Sequence, residues 1–293
     1  MAFNLAVFKT RTLTAIVFVV VMLTGLLWSH WSFFVLFSII HFGCWIEYQK
    51  LVTLIDPGYK SISVVHKYGV MIAGWTLMWY FTNGAFKLYE FKLYSIGWWW
   101  PLVFIALLPF IDWIFTKKTQ PKNIAHSLFG LIYISLAWGL MMNLRCVDMI
   151  KKGADSYLDF FAVTLPCTLI FSIWINDTMA YIVGSFIGKT PFSKISPKKT
   201  WEGTLGGALL AVLAVGLIAW ALGFADYKHY AVIALIAAIA GTAGDLFESK
   251  LKRLAGVKDS GNFMPGHGGF LDRFDSLLVA TPFVWLYVIL FMD

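Results

Sequence analysis

Gly244-Asp245-Leu246-Phe247-Glu248-Ser249-Lys250-Leu251-Lys252-Arg253, continued through Lys258-Asp259-Ser260-Gly261 to Pro265-Gly266-His267-Gly268-Gly269-Phe270-Leu271-Asp272-Arg273-Phe274-Asp275, is a charged, glycine-rich stretch set between two apolar runs. Its contrast with the rest of the chain decides the fold. Of 293 residues, 59% are hydrophobic and 13% charged, and the mean hydropathy is +0.74. A water-soluble domain carries about 25% charged residues. A chain this apolar cannot hide its surface from water by folding alone. The expected fold is therefore all-α, a polytopic integral membrane protein.

Outward from that stretch, nine apolar runs suggest about nine transmembrane helices, near 13–28, 31–47, 68–86, 95–116, 126–144, 159–187, 203–223, 229–246 and 276–292. A span needs about 20 mostly apolar residues. The second run is short, so the first two are expected to form a tight hairpin around Ser29-His30. Lys9 and Arg11 precede the first run in a layout shared with secretory signals. No small-x-small cleavage site follows and a second apolar run comes at once, so the first run is read as a span.

The formal charge is +7. The bases flank apolar runs, which points to membrane orientation rather than to nucleic acid. With nine spans and the N-terminus cytoplasmic, the large majority of the 23 Lys and Arg residues fall on the cytoplasmic side. Trp28, Trp31, Trp98-Trp99-Trp100, Trp113 and Trp201 lie at expected interfaces, where amphipathic rings favour the headgroup level. Cys44, Cys146 and Cys167 lack metal spacing and read as buried small hydrophobes. Gly203, Gly206, Gly207, Gly241 and Gly244 fall in the runs 203–223 and 229–246, where small residues allow close helix packing.

Three polar clusters break the apolar pattern, all on or beside the expected cytoplasmic face. Asn176, Asp177 and Tyr181 lie inside the sixth run, and an intramembrane carboxylate usually faces a polar cavity. Lys198-Lys199-Thr200-Trp201-Glu202 ends a basic loop at a helix start. There Thr200 can cap the helix, and its free N–H groups beside two lysines suit phosphate. From charge alone, a plain basic loop anchored to anionic lipid explains this segment better.

The third cluster is the opening stretch. Asp245, Glu248, Ser249 and Lys252 share one helix face, and Asp272 and Asp275 are three apart. Glycines between them, Gly268 and Gly269 included, let the backbone approach a ligand closely. Carboxylates on two helix ends suit a hard cation such as Mg²⁺, with Lys252, Arg253, Lys258 and Arg273 facing phosphate charge. This is equipment for phosphoryl or nucleotidyl transfer. No GxxxxGK[ST] loop and no HExxH motif occurs, and no Ser-His-Asp pattern stands out.

At these residues the chain resembles the phosphatidate cytidylyltransferase, or CDP-diacylglycerol synthase, family. The signature reads Ser249, Leu251, Lys252-Arg253, Lys258-Asp259, Gly261, Pro265, His267-Gly268-Gly269, Phe270, Asp272-Arg273, Phe274 and Asp275. Met264 departs mildly from it, as an adaptable apolar replacement. The segments Ser196-Pro197-Lys198-Lys199-Thr200 with Glu202-Gly203, and Asn176-Asp177 with Ala180-Tyr181, also look like the family. The likeness covers roughly the last 120 residues; the N-terminal half shares only its multi-span character.

The resemblance implies a membrane-embedded enzyme that turns CTP and phosphatidate into CDP-diacylglycerol and pyrophosphate. It implies Asp245 and Asp272 as Mg²⁺ ligands; supporting roles for Glu248 and Asp275, and room for a second cation, are inferred beside them. His267 enters the expected site with the signature. The expected layout is one membrane domain, 1–293. Within it, helices of 1–158 serve lipid contact, packing or a homodimer, and 159–293 carry the catalytic helices around the motif 245–275. The expected place is the cell (inner) membrane, with the site on the cytoplasmic side. The competing readings are a CTP-dependent polyprenol or phytol kinase and an ion-coupled transporter using Asp177 and Asp245.

Overall fold

Long uninterrupted apolar sequence can satisfy its backbone inside a bilayer only as helix or closed barrel, and here it does so as helix. The computed structural model describes residues 5–82, 86–115, 120–152, 160–193, 195–264 and 268–292. In chain order the helices are α1 (Leu5–Leu27), α2 (His30–Ile55), α3 (Val64–Tyr80), α4 (Leu93–Gly97), α5 (Trp100–Phe115) and α6 (Pro121–Gly130). Then come α7 (Ala137–Lys152), α8 (Phe160–Ile187), α9 (Trp201–Ala221), α10 (Tyr227–Leu254) and α11 (Leu271–Phe291). A 3-10 turn, Pro57–Ser61, follows α2, and a π-helical turn, Leu131–Leu136, joins α6 to α7. The short strands Lys87–Leu88 and Phe91–Lys92 pair antiparallel.

Among the described residues, each of the nine apolar runs is mostly helical. Among the described residues seven segments are long and apolar enough to cross a bilayer: His30–Ile55, Leu93–Ile114, Pro121–Val147, Ala162–Ile187, Trp201–Ala221, Tyr227–Leu254 and Leu271–Phe291. The other two runs fall in α1, whose apolar part Thr12–Leu27 is shorter, and in α3, of 17 residues. At 1.5 Å per residue α3 reaches about 26 Å, just under the hydrocarbon thickness.

Local chemistry sets the helix starts. The hairpin between α1 and α2 turns at Ser29, where a reciprocal capping box forms. Ser29 Oγ accepts from Ser32 N at 3.0 Å, and Ser32 Oγ accepts from Ser29 N at 2.9 Å. Ser63 caps α3 through His66 N at 3.0 Å. The π-helical turn turns Ser135 inward, where its Oγ accepts from Trp45 Nε1 at 2.9 Å and meets His41 Nε2 at 3.0 Å.

Two expectations need correction. A Ser-His-Asp arrangement does form, from residues too far apart in sequence to be noticed: Asp112 pairs with His66 Nδ1, and His66 Nε2 meets Ser127 Oγ at 2.8 Å. Asp112 is 1% exposed, His66 2% and Ser127 4%, and Tyr59 OH already bonds Ser127 at 3.1 Å. Nothing can reach Ser127, so the group clamps α3, α5 and α6 together. Trp28, Trp98, Trp99, Trp100, Trp113 and Trp201 are exposed, as interfacial rings are, but Trp31 turns inward against Phe34 and Phe86. The three cysteines are buried and free.

Helices α8 to α11 pack most intimately, α8 on α9 and α10 on α11. Small residues make this close. A Cβ on Gly207 would sit 2.7 Å from Ala180 Cβ and from the Asn176 carbonyl, and one on Gly244 would sit 2.5 Å from the Asp275 carbonyl. The seams between α8 and α9 and between α10 and α11 therefore bring backbone against backbone beside the polar clusters.

Candidate active site

Asn176, Asp177 and Tyr181 project from the C-terminal half of α8 into a cavity of about 480 Å³. Lys198, Lys199 and Thr200 face it from the loop before α9, and Thr242 and Asp245 from α10. The first two polar clusters and the start of the third thus line one space. Lys199 Nζ pairs with Asp245 Oδ2 at 2.6 Å, each side chain about one-third exposed. Asn176 Nδ2 donates to Asp177 Oδ1 at 3.2 Å. The Asn176 Oδ1 oxygen is buried without a hydrogen-bond donor.

The loop that presents the lysines is rigidly tied. Phe192 N donates to the Lys199 carbonyl at 2.8 Å and Trp201 N to the Thr190 carbonyl at 3.0 Å. Thr200 caps α9 as its sequence suggests, accepting from Gly203 N at 3.1 Å. Glu202 lies off the cavity wall and instead takes the amides of Lys189 and Thr190 at 3.2 Å. It acts on the loop's shape.

The α10–α11 seam carries the rest. Glu248 is fully buried, and Lys252 Nζ lies 2.5 Å from its Oε2 and 2.6 Å from Asp272 Oδ1. The other oxygen of Asp272 accepts from Ser260 N at 2.9 Å and Gly269 N at 2.8 Å and lies 2.9 Å from Ser260 Oγ. Asp275 is buried between the two groups, with Asp245, Asp177 and Lys252 in electrostatic range. Asp177 also feels Arg273 and Lys199. Electrostatic coupling links Asp177, Asp245, Asp275, Glu248 and Asp272, with Lys199 paired to Asp245 and Lys252 to Glu248 and Asp272.

The remaining expected residues that are described lie off the cavity lining. Ser249 is half-buried, and Arg253 and Lys258 are exposed. Arg253 donates to the Val257 carbonyl at 3.4 Å, closing the end of α10. Arg273 is exposed at the start of α11. Gly268 has φ +85° and its carbonyl accepts from Met264 N at 2.9 Å, so it shapes the turn. His267 lies outside the described residues.

One residue escaped the sequence reading. Glu47, 4% exposed near the end of α2, reaches across to the signature. Its Oε1 accepts from Phe270 N at 2.9 Å, and its Oε2 from Leu271 N at 2.9 Å and Ser260 Oγ at 2.7 Å. A carboxylate is thereby placed on the N-terminal amides of α11, where the helix dipole favours it. It also explains two signature glycines: a Cβ on Gly261 would lie 2.1 Å, and on Gly269 2.2 Å, from Glu47 Oε1. The available signal was a lone Glu in an apolar run, costly unless paired.

A divalent ion can be tested against these donors. Among the described residues no three His, Cys, Asp or Glu side chains gather to hold an ion unaided. Mg²⁺ does not need that; it is commonly held by one or two carboxylates, with waters and substrate phosphates completing its shell. Asp177 and Asp245 line one cavity with the donorless Asn176 oxygen beside them, a set of hard oxygens that fits such an ion. Asp272 and Glu248 already share an ammonium in the same manner.

Comparison with known proteins bears on this geometry. The model of the cytidylyltransferase family matches residues 9–291. A protein of Aquifex aeolicus named phosphatidate cytidylyltransferase is 38% identical over 188 residues, covering 64% of this chain and 65% of that one. One of Bacillus subtilis with the same name is 34% identical over 192 residues, covering 64% and 67%. One of Haemophilus influenzae, also so named, is 30% identical over 293 residues, covering 94% and 96%.

Proposed function

The chain belongs to the cytidylyltransferase family, and we propose that the reaction it catalyses transfers CMP from CTP to phosphatidate. A phosphate oxygen of phosphatidate attacks the α-phosphorus of CTP. The bond from that phosphorus to the oxygen bridging to the β-phosphate breaks, and pyrophosphate leaves with the electron pair. The products are CDP-diacylglycerol and pyrophosphate. The names of the relatives support the substrates.

The observation that carries the reading is the cavity of about 480 Å³ that Lys198 and Lys199 line together with Asp177 and Asp245. Bases and carboxylates around one space suit a triphosphate with its counter-ion. Asp177 and Asp245 are the residues we assign to Mg²⁺, which when bound supplies positive charge against the triphosphate. Lys198 and Lys199 face the same space and take phosphate oxygens. Arg273, Arg253 and Lys258, all exposed, attract both anionic substrates. Glu248, Asp272 and Asp275 hold Lys252 and the start of α11 in place, so the site needs no rearrangement as charge develops.

Phosphatidate stays in the bilayer by its acyl chains, while CTP comes from the aqueous side. A cavity at the helix ends serves both, and we propose that this face looks toward the cytoplasm from the cell (inner) membrane, a reading that the basic flanks support. The test is turnover of purified protein with phosphatidate and CTP labelled at either the α- or the γ-phosphate. The α-label enters the lipid and the γ-label leaves as pyrophosphate. A γ-label in the lipid, with CDP released, is the outcome of a lipid kinase and overturns the proposal.

A further inference from the structure

A second cavity, of about 510 Å³, lies where α2 ends and α3 begins, lined by Lys50, Lys60, Lys67, Gln49, Thr53 and Tyr59. None of these residues lines the cavity between α8, α9 and α10. Three lysine side chains therefore border one space, with the Lys67 ammonium also near the Tyr68 ring, 5.7 Å from its centroid. Among the described residues no carboxylate lines it or pairs with any of the three. Asp56, adjacent in sequence, is engaged elsewhere: Lys122 Nζ lies 2.9 Å and His126 Nε2 3.2 Å from its Oδ2, and Gly58 N donates to its other oxygen. Three like charges around a cavity repel one another, and an anion between them removes that repulsion.

The position of the cavity says what kind of anion. Glu47, half a turn before Gln49 on α2, binds the first amides of α11, so this cavity lies at the same end of the helix bundle as the signature loop. On its bilayer side the two helices carry open apolar residues: Ile46, one turn before Lys50 on α2, is 44% exposed, and Ile72, beyond Lys67 on α3, is 40% exposed. An ammonium-lined hollow beside an open apolar face at the end of membrane helices is matched by a molecule with the same division. We infer that this cavity binds the phosphate headgroup of an anionic phospholipid, its acyl chains running toward the bilayer interior past Ile46 on α2 and Ile72 on α3. Tyr59 and Thr53 add hydroxyls that suit phosphate or glycerol oxygens. The site is separate from the proposed reaction and does not depend on it.

The experiment uses the full chain in nanodiscs of phosphatidylcholine alone or with added phosphatidylglycerol, an anionic lipid that lacks the phosphomonoester required as acceptor in the proposed reaction. Amine acetylation of each lysine is followed by peptide mass spectrometry. With phosphatidylglycerol, Lys50, Lys60 and Lys67 should react about fivefold more slowly, the factor that one lysine–anionic-lipid contact supplies. Lys189 and Lys250, exposed lysines outside the cavity, should change much less. Lys60→Gln should reduce the protection of Lys50 and Lys67 while leaving CTP turnover in phosphatidylcholine nanodiscs containing phosphatidate unchanged. Equal slowing of all five lysines shows general surface attraction and overturns the site. Equal protection by inorganic phosphate in phosphatidylcholine discs overturns the lipid assignment, and absence of protection overturns both. A failure of CTP turnover in the wild-type protein would instead count against the proposed reaction, leaving lysine protection readable.

Discussion

Replacing Glu47 by Gln tests whether a residue of α2, far from the signature in sequence, holds the reactive loop. Its carboxylate takes Phe270 N, Leu271 N and Ser260 Oγ at 2.7–2.9 Å while almost wholly buried. Gln keeps the shape but swaps one accepting oxygen for an NH₂ that points at a donor. A hydrogen bond to a charged group is worth about 1.5–3 kcal/mol, and an orphaned buried amide costs about 1–3 kcal/mol. The sum is roughly 2.5–6 kcal/mol, shared between global stability and the position of α11. If about 3 kcal/mol falls on the position of Asp272 and Gly269, kcat drops about a hundredfold. The KM for CTP should change little, because Lys198 and Lys199 line a cavity to which Glu47, Asp272 and Gly269 do not contribute. The assay is steady-state turnover in detergent micelles beside a thermal melt of the same protein. Ser260→Ala should add little to Glu47→Gln, since both act through one network. Wild-type kcat and melting temperature in Glu47→Gln would refute the reasoning.

Four other outcomes follow from the same geometry. Gly269→Ala drives a Cβ to 2.2 Å from Glu47 Oε1 and should lower stability by about 1–3 kcal/mol, read by thermal melting, together with turnover. Lys252→Met strands Glu248 and Asp272 and should cost about 3–5 kcal/mol in melting experiments, with part regained in the Glu248→Gln/Lys252→Met double variant. Asp245→Ala and Asp272→Ala should each abolish product formation, measured with labelled CTP, while folded protein is recovered. Gly207→Leu should push α9 from α8, since a Cβ there already lies 2.7 Å from Ala180, and should raise the KM for CTP in steady-state assays.

Much of the helix layout was legible because apolar runs carry it directly. The turn at Ser29 was readable from two adjacent runs, and a capping box of two serines makes it. Element ends were less readable. The second run breaks off near 47 by composition, yet α2 continues to Ile55, because Glu47 and Gln49 are buried and paired inside the protein rather than exposed to lipid. The break at Leu131–Leu136 leaves no mark in an apolar sequence, since π-helical turns depend on packing around Ser135.

The candidate site divides in the same way. Asp245, Glu248 and Lys252 were placed together by helical spacing alone, and Asp272 by the signature. The contact of Lys252 with Asp272 spans only 20 residues, within reach of such patterns. Glu47 stands 213 residues from Ser260, and no local pattern links them. Likewise the meeting of Asp177, Lys199 and Asp245 needed three separate helix and loop segments to converge. The glycines of the signature looked like flexible joints or ligand approaches. At Gly261 and Gly269 the reason is instead the Glu47 carboxylate that occupies the space a Cβ would take.

The most direct measurement follows oxygen through one turnover, using phosphatidate labelled with ¹⁸O in its non-bridging phosphate oxygens and ³¹P NMR of the products. Attack by the lipid phosphate places ¹⁸O in the bridge between the two phosphorus atoms of the liponucleotide and leaves pyrophosphate unlabelled. Label in pyrophosphate, or a CTP-derived phosphate without the cytidine joined to the lipid, would contradict a cytidylyl transfer at this seam of carboxylates and lysines.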